Sequence, residues 1–265
     1  DRELGLVDPQ AVFSVVGHLG NSAIQMAWLK KFTALGLQVQ NIGPNDPLAK
    51  ELYGLFETLF PMNFAVSAYW SDRLDFAGAY GFPKSTAAKV YAAMKGFFDK
   101  GIAGMVGPDK MYSAAAFQTN HHGIGQLPID RFTLTINSNS PLLKMPGQPE
   151  QLLAMWPDGK LVFDYAVKDE RLIFASPDRM PALLNPPAQR PSKWATPLSE
   201  TTVLAGTMNF ISLIQRTVAK NPVLPAPMKE KLARLDPAET GIEFRVSLDN
   251  QLGVSSRVPM KLFRE

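Results

Sequence analysis

The chain has 265 residues, 46% hydrophobic and 19% charged, with 27 Lys and Arg against 24 Asp and Glu and no cysteine. This is globular composition, and the length suits one large domain or two of ordinary size. It excludes disulfides, thiol nucleophiles and thiolate metal sites; no apolar run reaches the roughly 18 residues of a membrane span, and the basic residues are too scattered to neutralise a phosphate backbone.

Ala11–Gly17 reads as a buried strand. Asn21 or Ser22 then caps a helix with Ile24, Trp28, Phe32 and Leu35 on its inner face, stopped by Gly36. Asp46-Pro47 opens a second helix, proline being suited to the first helical position, with Leu48, Leu52, Leu55, Phe56 and Leu59 inward. Phe64, Val66, Ala68 and Trp70 alternate at strand period, Ser71-Asp72-Arg73 turn, and Leu74, Phe76 and Gly78 return. Ser85 or Thr86 caps a third helix with the stripe Ala87, Val90, Tyr91, Met94 and Phe98, closed by Gly101. Residues 101–130 lack a clear period. Arg131–Asn137 is a strand, and a short helix is expected at 149–155. Leu161, Phe163, Tyr165 and Val167 alternate into a turn at Lys168-Asp169-Glu170, and Leu172–Phe174 return ahead of a short helix from Pro177 to Leu184.

Residues 186–198 carry Pro186, Pro187, Pro191 and Pro197 and read as an extended connector, since proline has no N–H for a sheet. Beyond it the opening plan recurs. Thr202–Gly206 is a strand, Asn209 caps a helix with Ile211, Ile214 and Val218 inward, and Pro227 opens another with Met228, Leu232 and Leu235 inward. Ile242, Phe244, Val246 and Leu248 then alternate, and Leu252, Val254, Ser256 and Val258 return. Gly17 matches Gly206, Asn21 matches Asn209, and Ile24-Gln25 matches Ile214-Gln215. The expected architecture is α+β: two related modules, 1–185 and 199–265, of antiparallel sheets with helices packed on one face.

The hairpin and helix of Phe163–Asp178, and Leu74–Met94 with its Gly-Phe-Pro-Lys-Ser link, resemble uncharacterised exported bacterial proteins built from repeated β-hairpin-plus-helix modules. That resemblance implies a periplasmic or envelope-anchored location and no particular chemistry. A cysteine-free chain opening at Asp1 rather than Met agrees with export of a trimmed segment.

No catalytic motif stands out. His121 and His122 lie in a glycine-flanked polar segment; neighbours on an extended chain point apart, so a metal would need a further ligand such as His18, Asp109 or Asp130. The HExxH spacing and the Gly-x-Ser-x-Gly elbow are absent, and Gly101–Lys110 lacks the Lys-Ser/Thr ending of a phosphate loop. Carboxylates in the hairpins (Asp72, Asp75, Asp164, Asp169 and Glu170) read as solvated turns. Methionine and tryptophan suit adaptable or anchoring contacts, so Trp70, Met105, Met111, Trp156 and Trp194 are the candidate binding residues. The expected function is a non-catalytic exported binding or scaffold protein of the bacterial envelope, using an apolar groove or interface toward a protein or apolar small molecule. It needs no cofactor and has room for a homodimer. The alternatives are a hydrolase with His121 or His122 in its site and a periplasmic carrier of lipid or another hydrophobic ligand.

Overall fold

The computed structural model describes residues 11–20, 22–39, 42–70, 72–100, 104, 106–141, 155–185, 202–209, 215, 225, 227, 230, 234, 241–248 and 252–258. The expected connector 186–198, all but the last residue of the helix expected at 149–155 and most of the two helices expected after Asn209 lie outside them. The described elements in chain order are β1 (Phe13–Leu19), α1 (Ala23–Val39), α2 (Pro47–Leu59), β2 (Met62–Trp70), β3 (Leu74–Gly81), α3 (Ala87–Lys100), β4 (Tyr112–Ile124), β5 (Leu127–Ile136), β6 (Lys160–Lys168), β7 (Arg171–Ala175), α4 (Met180–Leu184), β8 (Thr202–Met208), β9 (Ile242–Leu248) and β10 (Leu252–Arg257).

Local chemistry sets most of these boundaries. Ser22 Oγ accepts the Gln25 N–H, Asp46 Oδ1 the Leu48 N–H and Thr86 Oγ1 the Lys89 N–H, so each long helix starts at a side-chain cap. Gly36 does not stop α1, which runs on to Val39. The β6–β7 turn places Asp169 and Glu170 at φ 52° and 58°, the left-handed pair that matches strand twist in a two-residue hairpin.

All ten strands form one antiparallel sheet in the order β10-β9-β8-β1-β2-β3-β7-β6-β5-β4. A single sheet therefore runs through both stretches that the sequence divides at the proline-rich connector. β8 and β1, the third and fourth strands from the β10 edge, pair with Val16 opposite Ala205, and from there β1-β2-β3 and β8-β9-β10 extend in opposite directions.

Alternation assigns the side chains to two faces. On one, α3 packs through Ala87, Val90 and Tyr91 onto Leu172, Tyr80, Tyr165 and Val167. α1 and α2 join α3 in the same layer, where Leu37, Ile42, Leu48 and Ala49 cluster with Phe97. The opposite face carries Ala77, Ala79, Ile129, Ala166, Ile173 and Ala175, covered by Met180 and Leu184 of α4. Helices are thus not confined to one face: the small residues of β3, β6 and β7 leave a shallow surface that one short helix fills.

On the α3 face, three glycines sit directly opposite phenylalanines on the neighbouring strand: Gly17 with Phe64, Gly78 with Phe174, and Gly206 with Phe244. In each pair the ring occupies the space a side chain on the glycine would need. A Cβ on Gly78 would meet Phe174 Cε1 at 2.5 Å and the Ala65 carbonyl oxygen at 2.7 Å. Gly78→Ala should therefore cost about 1–3 kcal/mol, typical of overpacking. Adding Phe174→Leu should recover only part, because the backbone contact remains. Urea unfolding of the two variants checks this; an unchanged midpoint for Gly78→Ala would contradict it.

Candidate functional site

The candidate binding residues that are described, Trp70, Met111 and Trp156, do not converge on one site. Trp70 is half-buried at the end of β2, opposite Leu74. Trp156 is also half-buried, and its indole N–H donates to the Leu74 carbonyl oxygen at 3.2 Å, so these two tryptophans share the β2–β3 corner. Met111 is half-buried immediately before β4, with its carbonyl accepting the Asn137 N–H. Met105 and Trp194 lie outside the described residues.

The histidine pair sits in the edge strand β4, not in a loop. Pairing with β5 is irregular between Gln118 and His122, and Asn120 adopts φ 50°. This kink alters the expected divergence of the imidazoles: their ring centroids lie 5.4 Å apart, edge to face. His121 is exposed; His122 is half-buried, with Nε2 3.6 Å from Asp164 Oδ2. His18 lies on β1, hydrogen-bonded to Asn63 and six strand spacings, roughly 29 Å, from β4. It cannot complete a site with the pair. Among the described residues no group of three or more His, Asp or Glu could hold a metal ion.

Two buried carboxylates flank this edge, one on each face. On the α3 face, Asp130 accepts the Tyr91 hydroxyl at 2.7 Å, the Asn120 N–H at 2.7 Å and the Lys95 ammonium at 2.6 Å. Burial pushes its pKa up, but these donors outweigh that and hold it below the ordinary value. Tyr91 is driven strongly upward by burial and then by its bond to Asp130. Tyr91 and Lys95 lie one turn apart on α3, so Asp130 pins that helix to β5 and the kinked part of β4.

On the opposite face Asp164 is fully buried and takes Arg131 bidentately, Nε at 2.7 Å and Nη2 at 2.9 Å. Nearby, Arg73 bridges Asp75 and Asp178, and the Arg179 guanidinium stacks 4.1 Å above the Tyr69 ring. Asp75 and Asp164 are therefore buried and paired rather than solvated as their hairpin positions suggest. Both centres are closed, with each carboxylate already occupied by donors from its own fold.

The open features are apolar. α1 turns Ile24, Trp28, Phe32 and Leu35 outward, with Phe32 61% and Leu35 57% exposed. This reverses the expected orientation. The inner side has Gln25 and Leu37 buried and Leu29 and Thr33 half-buried, and Leu37 joins the cluster with Ile42 and Leu48. The Trp28 and Phe32 rings are in tilted contact, centroids 5.3 Å apart, exposed Lys30 and Lys31 lie beside them, and α1 has no acidic residue. A second opening lies between α2 and α3: a groove of about 480 Å³ floored by Gly54, Leu55, Ala93 and Phe97 and rimmed by Lys50 and Glu51. No described helix is long and apolar enough to cross a membrane.

The Asp130 cluster sets a pH dependence. Its folded pKa lies below the unfolded value of about 3.9, so its stabilising contribution is fully present above that pH and is lost as pH falls through the folded pKa. Lys95→Met removes a donor, so the Asp130 titration, followed by carboxyl NMR, and the acid-unfolding midpoint should both move to higher pH. A midpoint that stays in place would show that Asp130 does not tie α3 down. On the other face, Asp164→Ala strands Arg131 and should cost about 3–5 kcal/mol, whereas Asp164→Leu with Arg131→Met should cost less, as urea unfolding can measure.

No protein-family model, curated protein or solved structure matches the chain.

Proposed function

We propose that this is a non-catalytic binding or scaffold protein of the bacterial cell envelope, exported and docking through the outward face of α1. The observation that carries the reading is the exposed stripe of Ile24, Trp28, Phe32 and Leu35. A helix apolar on both sides is normally covered on both sides. Here the inner side has Leu37 against α2, and the outer side offers two aromatic rings in contact beside two lysines. A tryptophan and a phenylalanine with adjacent lysines suit the interfacial zone of an anionic lipid surface, where the rings enter the acyl boundary and the ammonium groups meet the headgroups. The closed environments of Asp130 and Asp164 support a reading without catalysis, since neither carboxylate is free to exchange protons with a substrate.

The finer architecture belongs to the same proposal. We infer a duplicated module, with β1-β2-β3 and β8-β9-β10 as counterparts. The support is the pairing of Val16 with Ala205, which immediately precede Gly17 and Gly206, and the recurrence of the Gly–Phe pair as Gly17–Phe64 and Gly206–Phe244. A hydrophobic-ligand carrier is the second reading, and the groove between α2 and α3 is the observation in its favour.

Vesicle flotation tests the docking surface. The protein should float with vesicles containing phosphatidylglycerol. Trp28→Ala and Phe32→Ala should each reduce partitioning roughly tenfold, and Lys30→Glu with Lys31→Glu should remove the preference for anionic over phosphatidylcholine vesicles. Protein that stays at the bottom of the gradient with both compositions would overturn the lipid-docking reading. A retained small molecule in native mass spectrometry, lost on Ala93→Trp, would favour the carrier.

A further inference from the structure

The two edges of the sheet are built differently. β4 is a poor template for another strand: its pairing with β5 breaks register twice, Asn120 has a positive φ, and Gln118–His122 is polar throughout. Such kinks and polar side chains are the usual protection of an exposed edge. β10 has none of this protection. Its pairing with β9 runs without a break from Leu252 to Arg257, it contains neither lysine nor proline, and its one charge, Arg257, is at the end. Leu252 is 55% exposed and Val254 68% exposed, and among the described residues no strand pairs with its outer side.

From this contrast we infer that the outer edge of β10 is a self-association site, pairing antiparallel with β10 of a second copy. A twofold axis perpendicular to the sheet keeps corresponding faces on one side, and only an even register satisfies it, because opposed residues must share a face. Centring the axis on Val254 sets Val254 against its own counterpart and Leu252 against Ser256 of the other copy. This register buries the most exposed apolar side chain of the edge. It leaves Arg257 outside the paired stretch, so no like charges oppose one another. The apolar row of Phe244, Val246 and Leu248 on β9 then continues across the junction. The chain already uses this arrangement internally, where β1 and β8 pair antiparallel about Val16 and Ala205. A foreign strand could satisfy the backbone of β10, but it would not place Val254 opposite Val254, and the test turns on that difference.

Sedimentation equilibrium over a range of protein concentrations reads the outcome. The wild-type mass should rise from one chain toward two. Val254→Lys and Val254→Glu should each weaken dimerisation at least roughly tenfold by setting like charges face to face. Mixing V254K with V254E should restore a dimer containing one of each, a result that simple edge damage cannot produce. Val254 is exposed, so at concentrations where the wild type is monomeric the circular dichroism melts of both variants should match it. A wild-type protein monomeric at every concentration, a V254K variant that dimerises like wild type, or a mixture that stays monomeric would each overturn the proposal.

Discussion

Three times in one sheet a phenylalanine ring lies in the space where its cross-strand neighbour has no side chain. Gly17–Phe64, Gly78–Phe174 and Gly206–Phe244 all fall on the α3 face. Glycine within a strand sacrifices propensity and packing area, and here a ring from the next strand supplies both. The constraint is double, since the carbonyls of Ala65 and Ser14 crowd Gly78 and Gly206. With its ring over Gly78, Phe174 stacks against Tyr80 on one side and Tyr165 on the other. α3 can then settle close enough for Tyr91 and Lys95 to reach Asp130. The polar tie depends on the apolar one.

The same constraint explains an asymmetry. Around β3, β7 and β6 the α3 face is covered, and Leu172 and Phe174 are buried. At β9 and β10 no described helix packs onto that face, so Phe244 and Val246 remain half-buried while Leu252 and Val254 are exposed. On the proposed correspondence Val254 stands where the other half has Gly78, and no ring among the described residues lies over it. Val254 therefore projects freely at the edge, where a matching side chain from a second copy fits better than a phenylalanine ring.

What could be read in the sequence follows from how local each determinant is. The β2–β3 and β6–β7 hairpins were legible because alternation and turn chemistry lie within a few residues, and the caps at Ser22, Asp46 and Thr86 likewise. β4 was not, because Ser113–Ala116 has low strand propensity and no period; its pairing with β5 makes it a strand. α1 was legible as a helix but not in orientation. With apolar residues on both sides its pattern has two solutions, and only the position of α2 beneath Leu37 selects one. Of the candidate site residues, Trp70 and Trp156 share a corner through Leu74, a contact 82 positions apart in the chain that no spacing reveals. The Arg131–Asp164 pair was hidden similarly, since β5 and β6 become neighbours only in the folded sheet. A signal was present for the Gly–Phe pairs: isolated glycines at 17, 78 and 206 inside apolar runs mark close approach by something else.

The two proposed surfaces reinforce each other for a geometric reason. A twofold axis perpendicular to the sheet leaves the α3 faces of both copies on the same side. α1 belongs to the helix layer on that side, joined to α2 and α3 through Leu37, Leu48 and Phe97. Pairing at β10 would therefore present two α1 stripes in the same direction. A single short apolar stripe with two lysines binds a lipid surface weakly and reversibly, as single membrane-contact signals do. Two held on one rigid sheet engage as a unit, because the second contact is made at high effective concentration once the first has formed. The exposed edge and the exposed helix, each a liability alone, are in this arrangement parts of one device: the edge sets the valency and the helix supplies the contact.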